Sequence, residues 1–140
     1  MREQQRVLLI VDGTEIGNDL ADTLETLGYT VADILTSAKQ PLERGYHLEA
    51  DVVVLDLQVR DTADPIGAGQ LISRRWNRPV IYLTDDTQQS DRVTREVCGA
   101  LFVMWPFSAD VLDTAIQESL ARVARAGDCV VPSYGVGLYP

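Results

Sequence analysis

Three polar residues stand where apolar runs end. Asp12 follows Val7, Leu8, Leu9, Ile10 and Val11; Asp56 follows Val52, Val53, Val54 and Leu55; Thr84 follows Val80, Ile81, Tyr82 and Leu83. Each run has the length and composition of a strand buried on both faces of a parallel sheet. Laid side by side, such strands bring their carboxyl ends to one edge, where open α/β sheets bind ligands. Two carboxylates and a hydroxyl at that edge are an oxygen-donor set suited to Mg²⁺, which uses one or two protein carboxylates and keeps several waters. Acids that end apolar strands equally mark where the chain meets solvent. Three polar strand ends in sequence favour the site.

The elements that would position these residues alternate along the chain. A strand over residues 7–11 precedes a helix from Glu15, where Ile16, Leu20, Leu24 and Leu27 recur at helical spacing and Gly28 is placed to end it. Residues 29–35 read as a second strand and 37–47 as a helix with Pro41 near its start. Residues 51–56 form the clearest β-branched run, followed by a helix over 66–76 and a strand over 79–83. A short polar helix over 90–98, a fifth strand over 100–104 and a last helix opened by Ser108 as N-cap complete the pattern. Five strands alternating with five helices predict a doubly wound α/β fold, with a five-stranded parallel sheet and helices on both faces. From Gly127 the periodicity stops, so the division expected is a domain over 1–126 and an irregular C-terminal tail over 127–140.

Composition narrows the function. At 140 residues and 46% hydrophobic the chain suits one domain, and its net charge of −9 opposes direct binding to nucleic acid or to an anionic membrane. Cys98 and Cys129 are far apart, no secretory signal precedes the first strand, and no apolar run approaches a membrane span, so a reduced, soluble, cytoplasmic protein is expected. No glycine-rich phosphate loop follows the first strand. His47 is the only histidine, which removes His-based metal sites and Ser-His-Asp chemistry and reads as a surface residue.

In order, Leu-Leu-Ile-Val-Asp ending at Asp12, Asp-Val-Val-Val-Leu-Asp-Leu around Asp56, Pro-Val-Ile-Tyr-Leu-Thr ending at Thr84 and Pro-Phe-Ser at 106–108 resemble the successive signatures of response-regulator receiver domains. The resemblance covers residues 6–125. It implies a flavodoxin-like, CheY-like sheet of strand order 2-1-3-4-5, and a phosphorelay in which a histidine kinase or phosphotransfer protein donates a phosphoryl group to Asp56. It further implies Mg²⁺ held by Asp12, Asp56 and the backbone carbonyl of Gln58. Thr84 would contact the phosphoryl group, Phe102 would be the aromatic whose rotamer reports activation, and Trp105-Pro106 would be a cis peptide. Phe102 and Trp105 read equally as core aromatics.

Three departures from that pattern bear on activity. Val11 takes the place of a second acid on the first strand. Trp105 stands before Pro106 where the family has a lysine; Lys39, the only lysine in the chain, lies in the second helix, leaving an arginine as the alternative cation. Asp85 follows Thr84 where a small residue is usual, and its charge opposes an incoming dianion. In the loop after Asp56, Arg60 replaces a common proline, while Asp61 and Asp64 read as solvated turn residues or as extensions of the metal site.

The expected function is therefore a stand-alone receiver, not an enzyme, that is phosphorylated on Asp56 with Mg²⁺ and signals to a downstream protein. The face of the fourth helix, fifth strand and fifth helix is its expected interaction surface and a candidate homodimer contact. The alternative is a pseudo-receiver that acts as a phosphorylation-independent interaction module through Trp105 and Pro106. An aspartate-nucleophile phosphatase is disfavoured because Gln58 stands where that chemistry needs a second acid.

Overall fold

In a computed structural model, which describes residues 5–43, 49–59, 64–97, 101–126 and 136–138, strands and helices alternate as the apolar periodicity requires. They are β1 (Arg6–Ile10), α1 (Thr14–Thr26), β2 (Thr30–Leu35), α2 (Lys39–Glu43), β3 (Val52–Asp56), α3 (Pro65–Trp76), β4 (Val80–Thr84), α4 (Thr87–Glu96), β5 (Leu101–Met104), α5 (Ala109–Ala126) and β6 (Val136–Leu138). The sheet order is β2-β1-β3-β4-β5-β6, every neighbouring pair parallel. The first five strands follow the expected 2-1-3-4-5 order.

One expectation is corrected at the carboxyl end. The tail is not irregular throughout: Val136, Gly137 and Leu138 pair with Leu101, Phe102 and Val103 of β5 as a sixth strand. Three residues carry no readable period, and this strand exists because the open edge of β5 offers it a partner. The remainder of the tail, like Arg60, Asp61, His47, Cys98 and Cys129, lies outside the described residues.

The strands of the sheet centre are buried on both faces. On one side Leu8, Ile10, Val53, Leu55, Tyr82 and Phe102 pack with Ile66, Ile72 and Val93 from α3 and α4. On the other, Val7, Leu9, Val52, Val54, Leu83 and Val103 pack with Leu20 and Leu24 of α1 and Leu112 and Ile116 of α5. The period of two along each strand sends neighbours to opposite faces. The edge strand β2 is only half-buried and carries an irregularity opposite Val7 and Leu8.

Caps explain where helices start and stop. Gly28 ends α1 with φ 100° and its N–H donates to the Glu25 carbonyl, as a C′ glycine does. Asp64 is an exposed residue with a structural role as well: its carboxylate accepts from the Gly67 N–H at 3.2 Å and caps α3, with Pro65 in the first turn. Asp86 caps α4 through the Gln88 N–H at 2.8 Å, so that helix begins three residues before Ser90. Ser108 caps α5 through the Val111 N–H at 3.3 Å, as expected. Trp76, Arg75 and the left-handed Asn77 close α3. No helix among the described residues is long and apolar enough to cross a membrane.

Candidate functional site

Parallel pairing of β1 with β3, which sets Ile10 opposite Leu55, brings the next residues of both strands to one edge. Asp56 is the last residue of β3 and only 1% exposed. Its Oδ1 accepts from the Gln58 N–H at 2.9 Å, and the backbone N–H of Asp12 also donates to its carboxylate. The tight turn after β3, with Val59 N–H to Asp56 carbonyl at 3.3 Å and Leu57 N–H to Leu83 carbonyl at 2.9 Å, aims that carboxylate outward from the strand end. Burial pushes the Asp56 carboxyl above the usual carboxylate range; the charges of Asp12 and Asp85 push the same way, and the two backbone donors partly oppose them. A buried carboxylate facing two others makes the negative charge here costly unless a cation offsets it.

Asp56 opens into a cleft of about 550 Å³ lined by Asp12, Gln58, Asp85, Trp105 and Phe107, with Ile16 and Leu20 of α1 beneath. The Gln58 side chain donates to Asp85 Oδ1 at 2.7 Å, tying the loop after β3 to the loop after β4. Trp105 is half-buried; its ring meets Phe107 at 4.4 Å between centroids, and its backbone N–H donates to the Thr84 carbonyl at 2.8 Å. The peptide from Trp105 to Pro106 is cis, as the resemblance implies, and Pro106 is exposed. None of the described residues lining the cleft is basic. Val11 is fully buried, its methyl in the packing between β1 and α1 beside Gly17, so it offers the site nothing polar.

The sequence-derived site is thus assembled in part. Asp12, Asp56, Gln58, Asp85 and Trp105 converge on the cleft. Thr84 does not present its hydroxyl there: the side chain is 0% exposed, Oγ1 lies 2.7 Å from Gln89 Oε1 and accepts from the Asp86 N–H at 3.1 Å. Its single proton goes to Gln89, because the Asp86 carbonyl is farther off at 3.3 Å. Phe102 is 4% exposed and belongs to the core against α3 and α4, on the opposite side of the sheet from Trp105. Two residues that sequence reasoning passed over matter here. Gln89 holds the Thr84 hydroxyl, signalled only by a polar side chain in the first turn of α4; Phe107 builds the aromatic wall, signalled by its place two residues after Trp105.

No family model matches the chain. A protein-glutamate methylesterase/protein-glutamine glutaminase of Archaeoglobus fulgidus is 30% identical over 125 residues, 86% of this chain and 36% of that protein. The transcriptional regulatory protein PdtaR of Mycobacterium tuberculosis is 27% identical over 119 residues, 84% of this chain and 58% of that one. The chain spans between 36% and 58% of the length of these relatives. Among solved structures, the signal receiver domain of a modulated diguanylate cyclase from Desulfovibrio desulfuricans matches with a TM-score of 0.72 at 23% identity, over 84% of this chain and 94% of that one. The receiver domain of the PhyR response regulator from Erythrobacter litoralis matches with a TM-score of 0.69 at 25% identity, over 84% and 90%. Ordered strand-end motifs, sheet order and both sets of relatives agree: the chain is a receiver domain of the response-regulator family.

Proposed function

We propose that this domain accepts a phosphoryl group on Asp56 from the phosphohistidine of a kinase or phosphotransfer protein and passes the signal on by binding a downstream protein. In that step a carboxylate oxygen of Asp56 attacks phosphorus, the P–N bond of the donor breaks, and the imidazole leaves with the bonding pair. The observation that supports it most is Asp56 itself, a strand-end carboxylate oriented by two backbone N–H groups and opening on a cleft. The chain is then a stoichiometric acceptor rather than an enzyme, working in the cytoplasm with its kinase.

The donor set fits Mg²⁺: the carboxylates of Asp12 and Asp56 with the Gln58 carbonyl are hard oxygen ligands, and the burial and neighbouring acids that raise the Asp56 carboxyl are effects that a cation bound there would oppose. Bound there, the ion would supply the positive charge that the developing phosphoryl oxygens require. Asp12 and Asp56 would hold it, the Gln58 N–H fixes the direction of Asp56, and the Gln58 amide keeps Asp85 turned across the mouth of the cleft.

A second reading, a phosphorylation-independent docking module, is favoured by one specific arrangement: Trp105 lines the cleft while the Thr84 hydroxyl is bound to Gln89. Incubation with Mg²⁺ and an acyl phosphate, followed by intact mass, separates the two. The acceptor reading expects one added phosphoryl group on the wild type and none on Asp56→Ala; an unlabelled wild type, under conditions that label another receiver, leaves the docking module standing.

A further inference from the structure

Two helices carry charge of a single sign, and the signs are opposite. α1 holds Glu15, Asp19, Asp22 and Glu25 and no base; α3 holds Arg74 and Arg75, with Arg78 just beyond its end, and no acid. The other helices mix signs, and α4 and α5 pair them internally, Arg92 with Glu96 and Arg122 with Glu118. The acids of α1 recur at intervals of four, three and three, and Leu71 is followed on α3 by arginines three, four and seven positions on, so each set forms one stripe. Every side chain in both stripes is exposed. Like charges at such spacings cost α1 stability, and Glu25 stands in its last turn, where the helix dipole favours cations. Each stripe also borders a large apolar side chain: Ile16 on α1 and Leu71 on α3, 39% and 53% exposed, are the large hydrophobics left exposed among the described residues.

We infer that copies of this chain associate head to tail, the arginine face of α3 on one copy docking on the acidic face of α1 on the next. Charge complementarity selects this occupant: each face finds on the other the sign it lacks, and Leu71 meets a surface bordered by Ile16. The two helices lie on opposite sides of the sheet, α1 with Leu20 and Leu24 in one layer and α3 with Ile66 and Ile72 in the other. A symmetric pair cannot make both contacts at once, so the association is heterologous and extends by adding copies. The net charge of −9 opposes self-association, but at physiological salt the Debye length is about 8 Å, so charges in contact outweigh those across the molecule. Two helix faces bury less than the ~800 Å² per partner of a standard interface, which makes the contact weak and concentration-dependent. An unrelated acidic partner would answer α3 alone and leave α1 without a counterpart. The inference goes beyond phosphoryl acceptance and does not rest on it, because neither face includes Asp56.

Sedimentation equilibrium of the full chain at physiological salt, from about 10 μM to about 1 mM, reads the association. The weight-average mass of the wild type should rise above the 15.4 kDa of one chain as concentration increases. Asp22→Lys with Glu25→Lys, and Leu71→Glu with Arg74→Glu, should each weaken association by roughly tenfold or more, because like charges then meet across the contact. Mixing the two double variants should restore it, since each supplies the face that the other lacks. Leu71→Ser, which leaves every charge in place, should weaken it roughly fivefold through the lost apolar contact, and it stands in where a charge-reversed variant fails to fold. A wild type still monomeric at about 1 mM overturns the inference, as do variants that associate like the wild type or a mixture that stays monomeric. Sensitivity to only one of the two charge reversals overturns it as well, because a single face would then be pairing with itself. Failure here leaves the phosphorylation result untouched, since acyl phosphate labelling of Asp56 is read separately by mass.

Discussion

Asp56 carries its charge at a cost. Burial above all, and then the neighbouring acids, raise its carboxyl above the ordinary value, so between that value and the raised one the folded protein binds more protons than the unfolded chain. Stability therefore falls as pH rises through this interval and stays lower above it. In divalent-free buffer at neutral pH, Asp56→Asn should raise the melting temperature by about 3 °C, the shift that ~1 kcal/mol makes in a domain of this size, and the gain should vanish when the pH is taken below the ordinary carboxylate range. Thermal scans of both proteins at acidic and neutral pH check it; a variant no more stable at neutral pH would contradict the cost of that charge. Gln58 entered through the resemblance alone, whereas the placing of Asp12 and Asp56 at one edge was legible in the sequence because it depends only on where strands end. The direction of the Thr84 hydroxyl was not, since it depends on which of several acceptors is nearest, and that acceptor, Gln89, sits on the following helix.

At the scale of elements, α3 lies close against β4 because Gly69 makes room for a ring. A Cβ on Gly69 would stand 2.6 Å from Tyr82 Cε1 and hydroxyl, and the ring is 1% exposed with nowhere to retreat. Gly69→Ala should destabilise by about 1–3 kcal/mol through overpacking, measured by urea denaturation. The Tyr82 hydroxyl has no hydrogen-bond partner among the described residues, and burial, with Asp64 nearby, raises its pKa. Tyr82→Phe should therefore be neutral or stabilising by up to ~1 kcal/mol, unlike the usual loss of a buried hydroxyl. By sequence alone a glycine inside a helix only lowers its stability, whereas the use of Gly69 depends on the Tyr82 ring that packs opposite it. Strands were read well because five apolar residues in a row admit few alternatives, whereas α2, five residues long, and the start of α4 depended on local caps such as Asp86.

For the molecule as a whole, β6 covers the edge of β5 that would otherwise lie open between α4 and α5. Ending the chain at residue 135 should speed hydrogen exchange of the β5 amides that face β6 by roughly five- to tenfold, the loss of about one net hydrogen bond each, and leave β3 amides unchanged. Equal exchange in both proteins would count against the pairing. This strand was hidden from sequence because its stability is borrowed from a neighbour some thirty positions earlier. The sheet also divides the interior into two packed layers, one holding Ile72 and the other Ile116, with no apolar side chain common to both. Side chains on opposite faces of one sheet share no packing partners, the condition under which core substitutions add. Ile72→Val and Ile116→Val should each cost ~1 kcal/mol and sum within about 0.5 kcal/mol when combined, whereas Ile66→Val with Ile72→Val, in one layer, is free to deviate. Each layer can thus accumulate its own substitutions without asking for compensation from the other, so this sequence can drift on one face while the other stays fixed.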